Sequence, residues 1–130
     1  MHDEAQHLHS LLERTVHAIG DPAPRVYERL FVLDPSLQER FAADTAGSAR
    51  AEMFMRAIEA LEGLAGGQAW AQGLIGSERA NPAMGGLDAG AFDLFFSLIG
   101  EVCREALGAA WSAEDHALWH KLLGRAALAR

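Results

Sequence analysis

Apolar residues recur at steps of three and four along nearly the whole chain, the spacing of one buried helical face. Leu8, Leu11, Leu12, Val16 and Ile19 mark a first helix that Gly20 ends. Asp21-Pro22 reads as an N-cap followed by proline at the first helical position, opening a second helix with Val26, Tyr27, Leu30, Phe31 and Leu33. Asp34-Pro35 repeats the signal and launches a short third helix towards Phe41. AADTAGS then reads as a loop. From about Ser48 a fourth helix carries Phe54, Ala57, Ile58, Leu61 and Leu64 until Gly66-Gly67 stops it. A fifth, weaker helix runs from about Gln68 to Ala80, with Trp70, Leu74 and Ile75 expected inward.

SERANPAMGG closes that helix and opens a glycine-rich turn with Pro82 at its centre. Asp88 can cap a long helix bearing Phe92, Phe95, Phe96, Ile99, Val102, Cys103 and Leu107, which Gly108 breaks. Ser112-Ala-Glu-Asp115 fits a capping box and opens the last helix, with Leu118, Trp119, Leu122, Leu123 and Ala126 on one face. No strand pattern, repeat, low-complexity segment or linker interrupts the series. The class expected is all-α, one domain over 1–130, with about seven helices of unequal length. A four-helix bundle would show four similar lengths.

Composition narrows the function classes. The length and the half-hydrophobic composition are enough for a core without disulfide or metal staples. The net charge of −7, with basic residues scattered, argues against a nucleic-acid surface. The acidic, histidine-rich start lacks a signal core, and no apolar run is long enough to span a bilayer. The single cysteine excludes an internal disulfide and fits a reducing compartment, so the expectation is a cytoplasmic protein away from membranes.

Three stretches, in order and spacing, resemble bacterial haemoglobin-like globins. DPAPRVYERLFVLDPSLQERF is similar to their second and third helices, and MFMRAIEAL to their distal helix. FDLFFSLIGEVCREALGAAWSAEDHALWHKLL resembles their last two helices, joined by the tight LGAAW corner. The resemblance implies a globin-like fold, a haem b pocket and binding of diatomic gas. It places Phe41 where the family packs a phenylalanine on the haem, and Tyr27, fourteen positions earlier, where a distal tyrosine stands. Arg50 (or Ala51) falls where the distal helix offers a polar side chain to ligand. Phe54 (or Met55) would line the pocket one turn later, and Phe92 would sit beside the proximal ligand.

One departure decides the reading. The family's iron-binding histidine ends the fifth helix, within R-x-x-H followed by Gly-Val. Here that segment reads Arg79-Ala80-Asn81-Pro82, with Gly86-Leu87 after it, and no histidine occurs between His17 and His116. Proline offers iron no lone pair and ends the helix that should aim the ligand. The expectation is therefore a degenerate globin without cofactor, acting as a small-ligand-binding, sensing or protein-interaction module. The alternative is haem b held by a non-standard ligand, Met84 being nearest. A third possibility is a scaffold whose pocket its own aromatic residues fill. A small apolar ligand or a protein partner suits the first reading, as does a homodimer through the last two helices, whose apolar faces are wide in related sensor globins.

Other candidates point elsewhere less strongly. Tyr27 is either a donor to bound gas or a core tyrosine with its hydroxyl satisfied. Arg50 is either a solvated side chain or the partner of a ligand carboxylate. His116 and His120, four apart, supply two ligands where zinc wants three or four. His2, His7 and His9 lie near the chain start, where they would take metals adventitiously. Cys103 reads as a small buried hydrophobe. No GxSxG, phosphate loop, CxxC or paired-carboxylate motif is present, which argues against hydrolytic and phosphoryl-transfer enzymology.

Overall fold

The computed structural model describes residues 3–80 and 89–128; of Arg40, 78–80 and 89–92 it describes the backbone alone. Within these residues the chain is all-α, with seven helices of unequal length and no strand. They are α1 (Glu4–Ile19), α2 (Ala23–Leu33), α3 (Pro35–Arg40), α4 (Ser48–Ala65), α5 (Ala69–Ala80), α6 (Ala89–Leu107) and α7 (Ala113–Leu128). A 3₁₀ turn, Gly108–Ala110, joins the last two. The order of short and long helices matches a globin-like topology.

The helix ends follow from their capping residues. Asp3 accepts the N–H groups of Ala5 and Gln6 at the start of α1. Pro22, not Asp21, is the N-cap of α2, so the helix opens one residue later than the sequence signal. Asp21 still serves it, its Oδ1 accepting the Ala23 N–H at 3.0 Å. Ser112 and Asp115 form the reciprocal box expected at α7. The Ser112 N–H donates to Asp115 Oδ2, and the Asp115 N–H donates to Ser112 Oγ, both at 3.0 Å. Gly108, at φ +52°, makes the left-handed corner that ends α6.

The core is one cluster, built from Leu8, Leu11, Val26, Leu30, Leu61, Ile99 and Leu122 and their neighbours on all seven helices. Three inward assignments differ from the sequence reading, one of them Leu33 at the end of α2, which is 61% exposed. Val16 is 51% exposed, and Thr15 takes the buried place in register with Leu8 and Leu11. The Thr15 hydroxyl is tolerated there because it donates to the Leu11 carbonyl at 2.9 Å. Trp70 is likewise exposed, and Ala71 and Ile75, four apart, face the core of α5. Its indole instead lies over Gly63 of α4, where an added Cβ would come within 2.9 Å of the ring. A second close approach sets α7 on α6. The Trp119 indole occupies the space a Cβ at Gly100 would need, and its N–H donates to the Phe96 carbonyl. Among the described residues, most of the apolar stripe of α6 and of α7 is thus buried inside the chain, Leu128 excepted. No helix among the described residues is long and apolar enough to cross a membrane.

A polar link ties the first helix to the last. Asp115 is 1% exposed, and its Oδ1 accepts from His7 at 2.7 Å and from Arg14 at 2.9 Å. His7 is therefore held against α7 rather than standing near a loose chain start. Burial pushes the Asp115 carboxyl up, but the Ser112 N–H, Arg14 and His7 outweigh it and hold it at about 2. Because this value lies below that of an unfolded aspartate, the stability it confers is complete above about pH 4 and is lost as pH falls towards 2. Urea denaturation compared at roughly pH 5 and pH 2 should show Asp115→Asn losing about 2 kcal/mol less than the parent chain. An equal acid loss in both would show that Asp115 is not so held.

Candidate functional site

Tyr27, Phe41, Arg50 and Phe54 come together where α2, α3 and α4 meet α6. Tyr27 projects from the inward face of α2 beside Val26 and Leu30 and is 4% exposed. Its ring centroid lies 5.8 Å from that of Phe41, 5.8 Å from Phe31 and 5.4 Å from Phe95. Phe95 in turn meets the Phe54 ring edge-on at 6.2 Å. Phe95 is therefore the ring that joins Tyr27 to Phe54, where helical spacing alone gives ordinary core packing. Such contacts contribute beyond the area they bury.

The polar atoms of this set are engaged within the protein. The Tyr27 hydroxyl donates to the Arg50 carbonyl at 2.8 Å. Arg50 donates from Nε to Asp44 Oδ2 at 3.2 Å and from its guanidinium to the Asp44 carbonyl at 3.0 Å. The same carboxylate accepts the N–H groups of Ala49 and Arg50 in the first turn of α4. Those N–H groups, Ala49's foremost, hold the Asp44 carboxyl below the usual carboxylate range against the burial that raises it, and Arg50 adds to them. The sequence pattern places Asp44 only within the AADTAGS loop. The signal that marks it is an acidic residue a few positions ahead of a helix start, displaced by a tight turn in which Gly47 takes φ +78°.

Two open clefts flank this knot. One, of about 550 Å³, lies between α2 and the start of α4. Pro24, Tyr27, Glu28 and Phe31 form its α2 wall, and Gly47, Arg50 and Ala51 face them. The other, of about 580 Å³, lies on the far side of Phe31 and Arg50, against Pro35, Phe41 and Asp44. Pro82 and Met84 lie outside the described residues. Phe92 lies in α6, and its side chain is likewise outside them.

The remaining candidates separate from this region. His116 and His120 are exposed on α7 with ring centroids 4.8 Å apart. Among the described residues no group of three or more His, Cys, Asp or Glu is placed to hold a metal ion. Cys103 is fully buried, and burial pushes its thiol up, partly offset by the Thr15 hydroxyl, so it is no thiolate nucleophile. Comparison with protein-family models, with curated proteins and with solved structures finds no match for the chain.

Burial also raises the Tyr27 phenol far above its ordinary value, with Arg50 opposing and Asp44 reinforcing the shift. The neutral phenol favours the folded state at all pH below about 10, and that contribution falls as pH rises beyond it. Tyr27 is the sole tyrosine, so its ionisation can be read directly. The phenolate absorbance should be absent from the folded chain at about pH 11 and appear once urea unfolds it. A normal titration in the folded protein would mean that the ring is not sealed.

Proposed function

We propose that this chain is a degenerate globin-like module that works without haem, as a small-ligand-binding, sensing or interaction domain. The observation that carries the reading is the aromatic knot. Tyr27, Phe41 and Phe95 are in ring contact, and Phe54 closes on Phe95, so the space among them is taken by side chains. Its two polar members support the same reading. A distal tyrosine serves bound gas only if its hydroxyl is free to turn to it, and Tyr27 donates to a backbone carbonyl. Arg50 is matched by Asp44, so its charge is already answered within the protein.

The residues present do not fit haem b held as the resemblance implies. Pro82 stands where that resemblance expects the iron-binding histidine, and none occurs between His17 and His116. Iron held in a globin by a proximal imidazole has no such donor here. A ligand for this module is therefore expected in an open cleft rather than stacked behind the knot.

The test is spectroscopic. The chain, produced with haem supplied and purified, should show no Soret band at stoichiometric strength. A strong band would overturn the haem-free reading, and its loss in Met84→Leu would then identify the axial ligand.

A further inference from the structure

We propose that the cleft between α2 and the start of α4 binds a small amphipathic cation, an amine carried on an aromatic or aliphatic body. The inference rests on the ligand-binding reading above and names the ligand class.

The walls supply the apolar half. Pro24, Tyr27, Glu28 and Phe31 fall at the steps of three and four that put them on one face of α2. Ala51 of α4 and Gly47 just before it face them, so ring and methyl surface makes up most of the lining, with the polar side chains of Gln38 and Arg50 beside it. The volume of about 550 Å³ lies within the range of small-molecule sites.

The charge at the rim selects the other half. Arg50 is the cationic side chain lining this cleft, and Asp44 neutralises it through a carboxylate 3.2 Å from Nε. Asp44 also accepts the first N–H groups of α4, so the positive end of that helix is answered too. Glu28 and Asp21 remain. Glu28 is exposed and makes no hydrogen bond or ion pair among the described residues. Asp21 is exposed as well, with one carboxylate oxygen on the Ala23 N–H. Arg29, which feels the Glu28 charge, is itself paired with Glu105, so the cleft presents an excess of negative charge beside aromatic faces. An ammonium gains from both, by pairing with the carboxylates and by lying over the Phe31 ring. A carboxylate ligand would meet repulsion and would have to compete with Asp44 for Arg50.

The experiment titrates the full-length ¹⁵N-labelled chain with three probes of similar shape: 2-phenylethylammonium, 2-phenylethanol and 3-phenylpropionate. The ammonium should give saturable amide shifts confined to residues 23–31 and 47–51. The alcohol should bind more weakly, and the propionate should leave these amides unmoved. Glu28→Gln combined with Asp21→Asn should weaken the ammonium roughly two- to fivefold per charge removed and leave the alcohol unchanged. Both positions are exposed, and an asparagine oxygen can still accept the Ala23 N–H, so the variant should keep the parent fold. Equal binding of ammonium and alcohol, preference for propionate, or no saturable shift at these amides overturns the proposal. Haem uptake is read at the Soret band and cation binding at these amides, so the two readings fail separately.

Discussion

Phe95 stands where three helices meet, and the rest of the site depends on how that ring is buried. It rises from α6, 1% exposed, with Tyr27 of α2 on one side and Phe54 of α4 on another. A ring of this size buried in a small core fixes the separation of the elements around it, because interiors pack at near-crystalline density. With Phe95 in place, Tyr27 is pressed towards α4, where the Arg50 carbonyl satisfies its hydroxyl. That bond sets the position of the first turn of α4 against α2, and so the shape of the cleft outside it.

Two acidic residues organise the charges. Asp115, buried, draws His7 and Arg14 of α1 onto the head of α7. Asp44 does the same locally, taking the side chain of Arg50 and the open end of α4 together. Ion pairs of this kind contribute little stability when exposed and more when hydrogen-bonded and half-buried. Their larger effect here is on what remains. Arg50, the cation that lines the clefts, is matched, and the carboxylates of Glu28 and Asp21 are left to face solvent.

Much of the fold was legible because its signals are local. Proline after aspartate, paired glycines and the Ser112–Asp115 box mark helix ends by backbone chemistry that needs no knowledge of neighbours. The misplacements are tertiary. Periodicity cannot separate Val16 from Thr15 or Trp70 from Ala71, since adjacent positions differ by one step around the helix. What decides is the partner: Gly63 leaves room for an indole to lie across α4, and the Leu11 carbonyl accepts a buried hydroxyl. The site was legible in part. Tyr27, Phe41, Arg50 and Phe54 do gather in one place, but Asp44, which reverses the electrostatic meaning of Arg50, sits in a loop whose turn geometry no spacing rule reports. Phe95 is visible as core but not as the link between Tyr27 and Phe54.

The central claim is that these rings fill their space as core. Phe95→Ala tests it most directly, by urea denaturation with full-length chain at neutral pH. A ring packed on Tyr27 and Phe54 should cost about 3–5 kcal/mol when removed, from lost transfer energy and the cavity left behind. A loss below about 1 kcal/mol would show that Phe95 borders open space, and would contradict the account.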